Sequence, residues 1–460
     1  MKDYDVIVLG AGSAGELVAT NLAEKGKSVA LIEKLRVGGE CAYVSCIPSK
    51  AMLRSAHVRN IAKQSVHFGG SAYPLDLGSD LEAFDTAAKR RDVITNSRSD
   101  RNAAANAIQK GVELIRGSGV FVGSNEIRVD DQSYGWLDLV IATGSTASIP
   151  EIKGLSEVEF WSSDQALSTS IIPQSVLIVG GGPVGCELAQ IFSSFGSITT
   201  VVEFSGQLAS KEHPEIAERL SSVLSNSGIK VIKNTKVESV EKLSQGRILV
   251  LLSDESSIEV DRVIIAAGRH PNTSGIGLET VNIVPNKDGA IEIDQHCRVV
   301  GHQHIWAAGD VTGIAPYTHT ANYQGQVITE NILGGSSVAN YQAIPRVIYT
   351  EPAVASVGIF HRDSENDGLI TARIELSDLS RNETDGEVGG LLILTADPIR
   401  GILVGAAAIG PHADEWLAEA TLAIRAQVPL AILCDVVHAF PTYGQAFDAP
   451  LEELLSRSTL

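Results

Sequence analysis

One pattern occurs twice in this chain. Val6–Leu9 is a short apolar run that ends at Gly10-Ala11-Gly12-Ser13-Ala14-Gly15. A helical pattern with Leu17, Val18 and Leu22 follows, then a second run, Val29–Ile32, closed by Glu33. Val176–Val179 repeats the order with Gly180-Gly181-Gly182-Pro183-Val184-Gly185, a helix carrying Leu188, Ile191 and Phe192, and Thr199–Val202 closed by Glu203. In both copies the acid follows the first glycine by 23 residues (10 to 33, 180 to 203). Runs this short, joined by a glycine turn to an amphipathic segment, predict two βαβ units and hence an α/β fold with parallel sheets.

A G-x-G-x-x-G turn is weak evidence alone, but here each copy joins a strand to a helix with an acid near the distance the dinucleotide fingerprint requires. The glycines let a pyrophosphate approach the backbone at a helix N-terminus, where amide donors and the dipole favour anions. Gly10, Gly12, Gly15 and Glu33 are candidates for one nucleotide, and Gly180, Gly182, Gly185 and Glu203 for a second. Each acid is placed to accept hydrogen bonds from a ribose diol. The plainer reading is two structural turns. If one nucleotide is FAD, its ribityl chain needs an anchor, and Gly309-Asp310 at the end of the run from Ile305 is a candidate. Asp310 could equally cap the helix that follows it.

Between the repeats, Leu81–Gly111 is rich in helical pattern, and Lys89-Arg90-Arg91-Asp92 has the look of a solvated helix face. The strand Leu137–Ala142 ends at Thr143-Gly144, and Val263–Ala267 ends at Gly268-Arg269. From Ile344 the pattern changes to strands near Val347–Tyr349 and Gly390–Ala396 and helices from Ala413 and Leu430, an α+β domain.

Residues 38–50 read GGECAYVSCIPSK. A disulfide between Cys41 and Cys46 would close a small ring and constrain the unfolded chain modestly. Such a bridge in a cytosolic protein is more often reactive than structural. Pro48 suits a first helical turn, and Cys46 at a helix N-terminus would ionise more easily. A pair of buried thiols is the alternative. Cys186, Cys297 and Cys434 are isolated and read as small buried hydrophobes. The eleven histidines show no ligand spacing, so no metal is expected.

Composition narrows the partners. Lys plus Arg is 36 against 55 for Asp plus Glu, a net charge of −19. That balance repels nucleic acid and anionic lipid. No apolar run approaches the ~18 residues of a membrane span. No signal-like stretch follows the first residues, and five cysteines do not make a secreted disulfide framework, so the expectation is a cytoplasmic protein.

These motifs together resemble the class I pyridine nucleotide–disulfide oxidoreductases, a family that includes dihydrolipoamide dehydrogenase, glutathione reductase and mercuric reductase. The resemblance rests on both glycine turns, GGECAYVSCIPSK, Gly309-Asp310 and IPRVIYTEPAVASVG at Ile344–Gly358, and covers essentially the whole chain. It implies a glutathione reductase-like fold: an FAD domain over 1–149 and 270–342, an NAD(P) domain over 150–269, and a C-terminal dimerisation domain over 343–460. The implied protein is a homodimer using FAD and NADH, with NADPH less favoured because Glu203 would repel a 2′-phosphate. Hydride would pass from nicotinamide to flavin, which opens the disulfide. Cys46 would be the thiolate beside the flavin and Cys41 the interchange thiol. Lys50 would lie near the flavin with Glu187 as its ion-pair partner, and Thr318-His319 would begin a helix directed at the flavin pyrimidine. Lys34, Gly39, Thr143, Gly144, Gly268 and Arg269 complete the cofactor-binding candidates.

The chain also departs from the family. Glu40 replaces threonine, while Tyr43 and Ser45 replace asparagine and glycine. The family's His-Pro-Thr-x-x-Glu segment, which supplies a partner subunit with a base and its orienting acid, is here Phe440-Pro441-Thr442-Tyr443-Gly444-Gln445. His438 survives two residues upstream and reads as a packing or hydrogen-bonding histidine, with substitution as base the lesser alternative. The small-molecule electron acceptor is therefore open: a dithiol or disulfide, a quinone, or a metal ion. A redox-sensing flavoprotein without turnover is the reading from another class.

Overall fold

The computed structural model describes residues 2–360, 368–386 and 388–459. Residues 361–367 and 387 of the expected C-terminal domain, and both terminal residues, lie outside the described residues. The chain forms two compact units: Met1–Ser49, Lys89–Ser148 and Gly268–Asn340 make the first, and Lys50–Ala88, Ile149–Ala267 and Tyr341–Leu460 the second. Residues 50–88, expected with the first nucleotide unit, group with the second. The cause is apolar packing: Met52, Leu53, Ala56 and Phe84 share a core with Leu188, Ile191 and Phe192. The Phe84 ring lies 6.1 Å from that of Phe192 and 5.4 Å from that of Phe195.

In the first unit, Glu113–Arg116, Val29–Glu33, Lys2–Leu9, Gln132–Ile141 and Ile305–Ala307 form parallel pairs in that order. Glu126–Val129 and Gly119–Gly123 extend the sheet as an antiparallel meander. Val6 and Val8 face one way, into a core with Ala14, Val18 and Leu22 of the helix Ser13–Glu24; Ile7 and Leu9 face the other, with Leu139 and Ile141. Burial on both faces explains why these strands read as continuous apolar runs. The strand order turns outward on either side of Lys2–Leu9 and Gln132–Ile141. That is the topological switch point, at whose carboxyl end such folds bind ligands.

The second unit repeats the motif, with the order Lys230–Ile232, Ile198–Val202, Ser175–Val179, Arg262–Ile265 and Trp161–Ser162, all parallel. It adds the meander Val237–Lys242, Ile248–Leu252 and Ser257–Val260. Its C-terminal part is an antiparallel sheet: Arg346–Ile348, Ala353–Gly358, Ile402–Gly410, Leu391–Asp397 and Ile370–Glu375. Ile402–Gly410 was not anticipated from its alanine-rich sequence, since alanine has little strand preference. Its place at the centre of the sheet, with Ala407 and Ala408 buried, supplies what propensity does not.

Two expectations are corrected. Lys89-Arg90-Arg91-Asp92 is not a uniformly solvated face, because Arg91 is fully buried. In the helix Asp80–Ile94 it stands seven residues after Phe84, on the stripe shared with Ala87 and Ala88. Its guanidinium pairs with Asp92 at 2.9 Å, so the charge is not buried alone. Cys186 and Cys297 are buried, but Cys434 is only half-buried, at the edge of the C-terminal core.

Candidate active site

The two glycine turns have the same construction. Gly10 and Gly180 take φ of +100° and +106°, and a Cβ on either would lie 2.3–2.4 Å from a carbonyl oxygen of the neighbouring strand end. A Cβ on Gly15 or Gly185 would lie 1.9 Å from the carbonyl of Gly10 or Gly180, so helix and turn touch there. At Gly12 and Gly182 a Cβ would meet nothing within 4 Å. Two glycines of each turn are required by the chain itself, and the middle one keeps space open in front of the helix. Both helices, Ser13–Glu24 and Pro183–Ser194, start without a side-chain cap, which leaves their first amides for an anion. The residues present therefore fit two dinucleotides. Glu33 accepts from the Ala11 amide at 2.7 Å, and Glu203 from the Gly181 amide at 2.6 Å and the Ser205 amide at 2.8 Å. A carboxylate has about four acceptor positions, so both acids retain capacity for a ribose hydroxyl. Lys34 is exposed at the end of its strand.

The cysteine segment lies on the first glycine turn. The Gly38 amide donates to the Ala11 carbonyl at 2.8 Å, and a Cβ on Gly39 would come within 2.8 Å of Gly12 Cα. Cys41 stands in the turn that follows, and Cys46 is the first residue of the helix Cys46–Lys63. Thr318, the first residue of the helix Thr318–Ile332, donates its hydroxyl to Cys41 Sγ at 3.2 Å and lies 3.6 Å from Cys46 Sγ. Both sulfurs thus meet one hydroxyl at the positive end of a helix, where a thiolate is favoured. His319 stacks on Tyr317 with ring centroids 5.2 Å apart.

Glu40 is tied into a polar chain. Arg269 Nη2 donates to Glu40 at 2.5 Å, Arg269 Nε donates to Ser145 Oγ at 2.7 Å, and that hydroxyl donates to Asp310 at 2.6 Å. Asp310 does not cap its short helix; Gly309 holds the cap position and its amide donates to Gln324 at 2.7 Å. Thr143 Oγ1 donates to the Asn272 carbonyl at 2.8 Å, and Gly144 and Gly268 take φ of +70° and +105° in the two crossing segments.

In the second unit, Lys50 Nζ donates to both oxygens of Glu187, at 2.7 and 2.9 Å. Glu187 also accepts from the Tyr349 amide at 3.1 Å, and the ammonium stands 4.4 Å from the Tyr349 ring centroid. The carboxylate is 7% exposed and the ammonium side chain 34%, so the pair is shielded from water on the Glu187 side only. Lys50 is four residues after Cys46, about one helical turn.

Residues 4–325 match the family model described as pyridine nucleotide-disulphide oxidoreductase, and residues 344–450 match the model of that family's dimerisation domain. The chain belongs to the pyridine nucleotide-disulphide oxidoreductases. It is 31% identical to a dihydrolipoyl dehydrogenase of Geobacillus stearothermophilus, covering 96% of this chain and 94% of that one. A mercuric reductase of Staphylococcus aureus is 28% identical over 96% of this chain and 81% of its own. Among solved structures, LpdA from Mycobacterium tuberculosis superposes with a TM-score of 0.85 at 22% identity, covering 99% of this chain and 100% of that one. The HOCl-induced flavoprotein disulfide reductase RclA of Escherichia coli superposes with a TM-score of 0.85 at 23% identity, over 98% and 99%. The protein is thus an oxidoreductase of the flavoprotein disulfide reductase class with the glutathione reductase fold.

Against this family background the C-terminal segment is distinctive. Phe440 is 72% exposed in the single chain. Gln445 accepts from the Thr442 amide at 3.3 Å and so caps the short helix Tyr443–Phe447. His438 is nearly buried, with Nδ1 at 2.6 Å from Asp448 and Nε2 at 2.9 Å from Glu419. Both ring nitrogens face carboxylates, so neither is left for a substrate. This is the hydrogen-bonding histidine of the sequence reading. Among the described residues no group of three or more His, Cys, Asp or Glu side chains is placed to hold a metal, and no helix is long and apolar enough to cross a membrane.

A cleft of about 370 Å³ opens beside Cys41, with Ser13, Glu16, Ile47, Lys110 and Asn322 among its walls. Sequence reasoning missed Glu16. An acid in the first turn of a helix is expected from the dipole alone, so nothing local marks it as part of a cleft.

Proposed function

We propose that this flavoprotein is a homodimeric NADH oxidoreductase that passes two electrons through Cys46 and Cys41 to a small acceptor. The observation that carries this reading is the convergence of both sulfurs on the Thr318 hydroxyl at a helix N-terminus. Bound FAD supplies the two-electron carrier between nicotinamide and the cysteines. Gly12 would leave room for its pyrophosphate and Asp310 would hold its ribityl chain. Toward a disulfide, the Cys41 thiolate attacks one sulfur and expels the other as thiolate. Cys46 then attacks Cys41, restoring the Cys41–Cys46 bond and releasing the second thiolate. Two protons are taken up if both products leave as thiols. Glu203 favours NADH, because its carboxylate suits a ribose diol and opposes a 2′-phosphate. Dimerisation would cover Val437 and Phe440, which are 93% and 72% exposed in one chain. Burying side chains of this size stabilises by roughly 1.5–3 kcal/mol each.

A second reading has its own observation. Phe440 has no ionisable group and His438 has no ring nitrogen to spare. Acceptors that need no thiol proton shuttle, quinones or a metal ion taken as substrate, then fit better than dithiols. The deciding experiment is anaerobic NADH oxidation by the FAD-loaded enzyme against lipoamide, glutathione disulfide, quinones and mercuric ion. Sustained turnover with any of them supports an enzyme, and its absence with all of them would favour the sensor reading. Unchanged disulfide reduction by Cys41→Ser would overturn the relay.

A further inference from the structure

We propose that the cleft beside Cys41 admits small acceptors that are neutral or cationic and rejects anionic ones, and that Glu16 sets this choice. The inference rests on Cys41 being the thiol that meets the acceptor.

The argument is a balance of charges. Glu16 and Cys41 line the same small cleft, so a molecule held in it beside Cys41 shares that space with Glu16. Among the described residues the Glu16 side chain has no hydrogen-bond or ion-pair partner. Lys110 also lines the cleft and attracts Glu16 at longer range, but its ammonium is bound to Glu24 at 3.2 Å. Glu40, next to Cys41 in sequence, is neutralised by Arg269. Among the described residues Glu16 is therefore the one carboxylate lining the cleft, and it has no ion-pair partner of its own. The other walls are uncharged: Asn106 and Asn322 offer amides, Ser13 and Thr20 hydroxyls, and Leu17 and Ile47 apolar surface. Burial raises the pKa of Glu16 and Lys110 offsets this only in part, so the carboxyl sits where water screens poorly and its charge acts on a visitor once it is ionised. The cleft's volume is at the small end of ligand sites, which suits a compact molecule.

The test uses the FAD-loaded enzyme, reduced with dithiothreitol and freed of it under argon. Cys41 is alkylated with iodoacetamide, iodoacetate or 2-bromoethylammonium, and the rate is read by peptide mass spectrometry. In each case the thiolate displaces a halide ion, and reagent bias is removed by reference to N-acetylcysteine amide. The expected neutral-to-anionic rate ratio at Cys41 is about fivefold above that reference, a size consistent with one partly screened charge within a small cleft. Glu16→Gln should bring the ratio to the reference and Glu16→Lys should invert it. Glu16→Asp keeps the charge and should keep the ratio, which separates charge from folding damage. A ratio unchanged in Glu16→Gln would overturn the proposal, as would failure of all three reagents to reach Cys41. Because labelling needs no turnover, an enzyme that reduced none of the acceptors above would still decide this point.

Discussion

His438 Nδ1 lies 2.6 Å from a carboxylate oxygen of Asp448, and Glu419 takes the other ring nitrogen at 2.9 Å. An imidazole can donate from both nitrogens only as the cation. Burial works against that cation, but the hydrogen bonds to Glu419 and Asp448 outweigh it, so the His438 pKa is raised above 6.5. The sign follows: a raised folded value stabilises fully below the unfolded value near 6.5 and is lost as pH climbs through the folded value. The melting temperature of wild type should exceed that of His438→Gln most at pH 6, and the gap should narrow from there toward pH 9. A gap that widens with pH would contradict the clamp. Removing the cation leaves two carboxylates facing one another, so His438→Ala should cost about 1–3 kcal/mol at pH 6.

The glycine turns separate folding from cofactor loading. Gly12→Ala places a methyl where nothing lies within 4 Å, so the apoprotein should melt within a few degrees of wild type. Its yield of bound FAD, read from absorbance near 450 nm, should fall at least about tenfold, since the methyl occupies the approach to the helix amides. Gly15→Ala drives a methyl to 1.9 Å from the Gly10 carbonyl and should destabilise the apoprotein itself. Full FAD loading in Gly12→Ala would show that the open space is not the cofactor cradle.

Coenzyme choice should follow Glu203. It is held by the Gly181 and Ser205 amides, and Ser205-Gly206-Gln207 brings no cation. The ammonium of Lys236 stands 5.4 Å from the Phe204 ring centroid. One carboxylate–phosphate clash of ~1–3 kcal/mol corresponds to about one to two decades of kcat/KM in favour of NADH. Equal values for NADH and NADPH at fixed ionic strength would sink this assignment.

The base position makes the most specific demand. Acid–base help to a thiol is worth typically ~10²–10⁴ in rate. Wild-type turnover with lipoamide and glutathione disulfide should be weak and quinone reduction competent. Phe440→His with Gln445→Glu should raise the former about tenfold or more and change the latter little. Glutamate serves the capping box at position 445 as well as glutamine does, so the double variant should fold. Robust lipoamide turnover by the wild type would mean that another group supplies the proton.

What could be read in advance was local or repeated. The glycine turns, the strands before them and the helix starting at Cys46 each carry their signal within a few residues. Features made by distant segments left no such mark. Arg91 is buried by the phase of its helix, on the stripe of Ala87 and Ala88, although its neighbours Lys89 and Arg90 are exposed. The clamp on His438 draws Asp448 from ten residues ahead and Glu419 from nineteen behind, at no helical or strand spacing. Ile402–Gly410 is a central strand because of its neighbours, not its alanines. Glu16 obeys a helix rule well enough to conceal its place in a cleft.

The first unit's sheet has a consequence for how the protein is made. Strand Ile305–Ala307 pairs with Leu139–Ile141, and the Trp306 indole donates to Asp138 across 168 residues of chain. At roughly 5–20 residues per second, a ribosome needs on the order of ten to thirty seconds to supply that strand after its neighbour has emerged. Until then one flank of Leu139–Ile141 lacks its parallel neighbour, and Asp310 does not yet exist. The nascent chain therefore completes the sheet of its first unit only after the whole second glycine turn has been synthesised.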